Sequence, residues 1–211
     1  MMRSFAAFAL LTVLAALLVP GSAYSQETDY EFSCSAFPRA LSEVALRERY
    51  GDGNVVSMSI FGSDDGPQDG TVVLPDDEAL RLDIFWWDPE TKTQIRSVRT
   101  RAAGSQWQSP NGITVGLSLK SIEAINGLPF RIRGFVDEGD PGRVLSWGKG
   151  RLNSQTINNC TVMIFLHPQA DADVDPLLRK QVARGEFSSG HPAMRALNPV
   201  VYQLLVSHDR R

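Results

Sequence analysis

Short helices packed on antiparallel sheet, an α+β fold, are what these 211 residues encode. Three observations carry that reading. Apolar and polar residues alternate in short runs such as LRLDIFWW (80–87) and FRIRGF (130–135), the period of a half-buried strand. Turn formers crowd between such runs, as in GSDDGPQDG (62–70), DPETKTQ (88–94) and VDEGDPGR (136–143). Two short helix-period runs, each stopped by a glycine, precede the strands.

In chain order, residues 1–25 read as an export leader. Arg3 supplies the positive start, Phe5 to Val19 is apolar without charge, Pro20-Gly21 breaks it, and Ala23 and Ser25 precede a cut before Gln26. The apolar run is 15 residues, short of the roughly 20 that a membrane span requires. The nearest cysteine, Cys34, lies too far downstream for a lipid anchor. The expected destination is the periplasm, with no membrane span after cleavage.

Residues 26–33 read as a flexible N-terminus, and 34–166 as the α+β core. Residues 35–51 have a helical period, with Leu41, Val44 and Ala45 on one face; Ser35 or Ser42 can cap the start and Gly51 the stop. NVVSMSIF (54–61) and TVVL (71–74) form a hairpin. In LRLDIFWW, Leu82, Ile84 and Trp86 face one side, and Arg81, Asp83, Phe85 and Trp87 the other. IRSVRTRA (95–102) follows. Ser118 is the expected N-cap of a second helix ending near Asn126, where Gly127 can turn left-handed and Pro129 prevents resumption. FRIRGF, VLSW (144–147), GKGRL (148–152) and CTVMIFL (160–166) complete the strands.

Helix, glycine stop and strands thus occur twice, over 35–102 and 112–166, which reads as two tandem units. Residues 167–211 read as a polar linker and a helical tail broken at Gly185-Glu186 and Pro199. An amphipathic helix would account for Leu204, Leu205 and Val206.

Removal of the leader takes away Arg3 and no acid, leaving 20 bases against 24 acids, net −4. Neither the core nor the tail shows the strong basic excess of a nucleic-acid footprint. Cys34 and Cys160 are the two cysteines. In an oxidising compartment they are expected to form one disulfide; there is no C-x-x-C and no basic run to activate either thiol.

Signs of catalysis are sparse. His167, His191 and His208 lie at or beyond the last core strand, and no G-x-S-x-G elbow, H-x-x-x-H pair or phosphate-binding glycine loop occurs. Asp171, Asp173 and Asp175 begin like a calcium loop, but Pro176 stands where glycine is needed and Val182 where glutamate is. Asp64, Asp65, Asp69 and Asp76 to Glu78 crowd two turns, where local hydrogen bonding already favours aspartate. Weak calcium binding there is the alternative. No cofactor and no metal are expected.

GITVGLSLKSIEAINGLPF (112–130) is similar to a helix signature of small exported domains, among them the outer-membrane assembly lipoprotein BamE and the β-lactamase-inhibitory-protein-like proteins. Gly112, Gly116, Ser118, Ile122, Gly127 and Pro129 carry the match; Ser121 stands at its glutamate position. Cys34 to Leu166 also resembles a group of uncharacterised bacterial periplasmic proteins, through Tyr50-Gly51, Asn54-Val55, Asn126-Gly127 and Pro129-Phe130. That resemblance implies helices on antiparallel sheet and no particular activity.

The functional expectation is an exported protein without catalysis that binds another envelope protein or inhibits an enzyme. The rival is a small hydrolase or carbohydrate-active enzyme with a carboxylate site. Adjacent strand residues point to opposite faces, so one of Trp86 and Trp87 must leave the core. Trp87, sharing its side with Phe85 and Arg81, is the expected outward contact, with Trp107 as a further candidate. A C-terminal helix covering Trp87 is the competing possibility.

Overall fold

The computed structural model describes residues 30–61, 66–135, 140–154, 156–168 and 176–210. The expected leader, residues 62–65 and 136–139 and the acidic run at 171–175 lie outside them. The elements are α1 (Glu43–Tyr50), β1 (Val55–Phe61), β2 (Pro67–Val73), β3 (Leu82–Trp86), β4 (Ile95–Thr100), α2 (Leu119–Asn126), β5 (Arg131–Arg133), β6 (Gly142–Ser146), β7 (Thr156–Ile157), β8 (Cys160–His167), α3 (Pro176–Gln181), β9 (Glu186–Ser188), α4 (Pro192–Leu197) and β10 (Val200–His208).

All strands join one antiparallel sheet of ten, in the order β1-β2-β3-β4-β10-β8-β6-β5-β9, with β7 hairpinned onto β8. The first helix begins later than expected. Residues 33–41 form turns around Pro38, and Ser42 caps α1 by accepting from Ala45 N. The second helix follows expectation. Ser118 accepts from Ser121 N, and Gly127 ends α2 at φ 79°, a conformation open to glycine at little cost. Arg151 donates to the carbonyls of Ala124 and Ile125, satisfying the end of α2.

The tail departs from the sequence reading. Leu204, Leu205 and Val206 belong to no helix; they lie on β10, a central strand. It pairs eight positions with β8 and four with β4. A β-branched run gains more there than a helix would, because its ladder groups bond on both sides and its alternate residues fill the core. The 167–211 segment is therefore no accessory. Its helices, α3 and α4, are one or two turns each.

All the helices pack on one face of the sheet. There Leu46, Leu82, Ile84, Trp86, Val98, Ile122, Ile164, Met194, Leu204 and Val206 share one core, so the predicted inward side of β3 is correct. Cys34 and Cys160 are disulfide-bonded across 126 residues, tying the segment before α1 to the start of β8. Closing a loop of that length stabilises by at most about 4–5 kcal/mol in the chain-entropy account. A bonded pair is compatible with export. Among the described residues no helix is long and apolar enough to cross a membrane.

Candidate functional site

Among the described residues the sheet's second face carries no helix. Strand register defines its membership. Asp83 pairs with Arg99 and Phe85 with Ser97. Leu205 lies between Arg99 and Met163, Arg143 is opposite Phe165, and Arg133 is opposite Arg143 and Glu186. Alternation then adds Val56, Met58, Ile60 and Val72 from the first hairpin.

Seven arginines gather on this face: Arg81, Arg96, Arg99, Arg101, Arg131, Arg133 and Arg143. Among the described residues Asp83 and Glu186 form ion pairs with them there, and Glu78 stands at the rim. The strands contain no lysine. A chain that is acidic overall thus presents one strongly cationic, partly apolar sheet surface.

The arginines fall into two groups. At the β3–β4 end, Arg99 and Asp83 are both buried. Arg99 Nε and Nη2 donate to Asp83 Oδ2 at 3.1 and 2.7 Å, and Nη2 also donates to the Phe61 carbonyl at 2.8 Å. Burial lowers the pKa of Arg99, and the hydrogen bond to Asp83 opposes that shift. Arg81 Nε donates to Asp83 Oδ1 at 3.2 Å, and Arg101 stands 3.8 Å from Oδ2. Together with Glu78 these side chains line a cleft of about 300 Å³. At the other end Arg131 pairs with Glu186, while Arg133 and Arg143 sit side by side.

The expected contact residues divide. Arg81 lies on the face, half-exposed. Phe85 lies on the correct side but is buried with Ile60 and Val72, beneath the guanidinium groups of Arg96 and Arg99 at 5.5 and 4.9 Å from its ring. It supports the surface without offering a contact. Trp107 is buried against Tyr30, Phe32 and Phe37, and its Nε1 donates to the Leu80 carbonyl. The segment after β4 folds back over the N-terminal turn and takes Trp107 into the core.

Trp87 is neither free nor covered by a helix. It is partly buried between the guanidinium groups of Arg39 and Arg210, 5.7 and 5.4 Å from its ring. The tail reaches it through Arg210, just past the end of β10.

The carboxylate alternative meets a specific obstacle. Glu78 and Asp83 do share a cleft with arginines, but both Asp83 oxygens are held by guanidinium groups. Asp83 is their counter-ion, with no free oxygen facing a substrate. Ser189 Oγ donates directly to Glu123 at 2.6 Å with no histidine between them. His208 Nε2 lies 3.0 Å from the Phe37 carbonyl, and His191 Nδ1 accepts from Ala193 N. Among the described residues no group of His, Cys, Asp and Glu forms a metal cluster. Of the acidic turns, Asp77 accepts from Ala79 N and Leu80 N, the local turn bonding expected of aspartate. Asp64, Asp65 and Asp171 to Asp175 lie outside the described residues.

Counting charge along the chain missed the arginine face, because its members come from β3, β4, β5 and β6 in both halves. The signal was present as arginine at alternate positions, 131 and 133, and nearly so at 96, 99 and 101. No family model matches the chain, and no curated protein or solved structure is significantly similar to it.

Proposed function

We propose that the chain is exported to the periplasm and acts there without catalysis, by docking an acidic protein surface onto its arginine-bearing sheet face. The observation that carries this reading is the composition of that face: seven arginines, two methionines (Met58 and Met163) and no lysine. Protein interfaces are enriched in arginine and methionine and depleted in lysine, and arginine is a frequent energetic anchor. Arginine also suits phosphate and nucleic-acid recognition, but the chain as a whole lacks the strong basic excess of a nucleic-acid footprint. The two helix-plus-meander runs, whose last long strands β4 and β8 flank β10, support a tandem origin.

The test is capture from envelope extracts with the tagged mature protein, comparing the parent with Arg133→Glu/Arg143→Glu. Both side chains are surface groups, so the double variant should melt like the parent. Recovery of the captured protein should fall at least tenfold, and 0.5 M salt should weaken parent capture similarly, because exposed ion pairs are screened on the order of a 10 Å length at 0.1 M and less above it. Equal capture by parent and variant would refute the docking face.

A further inference from the structure

We infer that the cleft at the β3–β4 end is a binding site for a small oxyanion, a phosphate or carboxylate group presented free or at the end of a larger molecule. This goes beyond protein docking: it requires no partner protein and uses the opposite end of the face from Arg133 and Arg143.

Three guanidinium groups converge on the single buried carboxylate of Asp83. One pair is complete. Arg99 gives both Nε and Nη2 to Asp83 and shares Nη2 with the Phe61 carbonyl, so it is locked and its charge is met. The other two are not. Arg81 uses Nε alone in its bond to Asp83. Arg101 reaches Asp83 only through the 3.8 Å approach, too long for a hydrogen bond. Each has over a third of its side chain exposed, at 37% and 36%, and both line the same 300 Å³ cleft.

Among the described residues two positive charges are therefore in excess of Asp83, and one remains after the exposed Glu78 at the rim is counted. A site that holds arginines together against their mutual repulsion, with guanidinium N–H groups left over, is arranged for an anion. The planar fork favours oxyanions with two or more acceptor atoms, bound through paired N–H···O contacts. The buried Asp83–Arg99 pair provides the fixed floor that orients Arg81 and Arg101, and the free donors of those two residues would contact the ligand.

The experiment is isothermal titration of the full mature protein with inorganic phosphate, and separately with acetate, at pH 7.5 and constant ionic strength. Saturable one-to-one binding of at least one anion is expected, the tighter one naming the ligand class. Arg101→Gln should weaken it tenfold or more with an unchanged melting temperature, because Arg101 forms no close bond in the fold. Arg81→Gln provides the second variant. Arg133→Glu/Arg143→Glu should bind as the parent does, which separates this site from the docking face. Absence of saturable binding of either anion up to 20 mM, or binding unchanged in both Arg101→Gln and Arg81→Gln, would overturn the assignment.

Discussion

Leu204→Ala should unfold this protein at a markedly lower temperature, and Leu205→Ala should not. Leu204 is fully buried at the centre of β10, opposite Thr100 of β4 and Ile164 of β8. Its neighbour Leu205 points to the helix-free face and is only half-buried. Truncating a fully buried leucine costs about 2–5 kcal/mol, the transfer term plus the cavity left behind. For a chain of this size each kcal/mol shifts the midpoint by roughly 2–4 °C, so Leu204→Ala should lose on the order of 4–20 °C. Leu205→Ala should lose a few degrees at most. A stronger form of the test deletes residues 199–211. β10 joins the β1–β4 half of the sheet to the β8–β6–β5–β9 half, so deletion exposes two interior edges and opens the core. Thermal unfolding followed by far-ultraviolet circular dichroism, with the disulfide intact, reads all three. A deletion variant that melts cooperatively within a few degrees of the parent would refute the central placement of β10. Equal effects from Leu204→Ala and Leu205→Ala would do the same.

Two further predictions concern the helices. The carboxyl group of Glu43 is held at about 2, against an ordinary value of 4.5: burial alone would raise it, but hydrogen bonds from Thr71, Arg47, Lys92 and Ser57 outweigh burial. Its contribution, up to about 3 kcal/mol, is complete above pH 4.5 and is lost as pH falls towards 2. Denaturant titrations of the parent should show stability declining across that window, and Glu43→Gln should flatten the decline; parallel acid limbs in the two proteins would count against the network. At α2, Ser118→Ala should cost about 1 kcal/mol through loss of the cap. Gly127→Val should cost more, since φ 79° strains a β-branched residue and its Cβ would sit 3.4 Å from the Arg151 guanidinium that caps the helix. Unchanged urea midpoints for both variants would exclude this account of the helix ends.

Several parts of the molecule were legible because their causes are local. Ser118 and Gly127 act within a few residues of themselves, and they bound α2 as expected. The alternation in LRLDIFWW assigned Leu82, Ile84 and Trp86 to the core from the geometry of one strand. Two cysteines admit a single pairing within the chain, and that pairing is present. Pro38 is an equally local signal: residues 33–41 turn around it, and α1 starts only after the Ser42 cap.

What tertiary structure decided depends on neighbours distant in sequence. VVYQLLVSH carries no period that separates a strand from a helix, because Leu204, Leu205 and Val206 put apolar residues on both faces of a short run. Trp107 and Phe85 look like contact residues beside arginines, yet each is covered by segments that sequence spacing does not bring near. The arginine face is the clearest case. The residues themselves determined that Arg81, Arg131 and Arg133 would each point to one side of an extended run, whereas Arg143 reads as part of a turn and Arg99 alternates only roughly. Only the order of strands in the sheet turned those sides into one surface, because net charge adds along the chain whereas electrostatic potential adds in space.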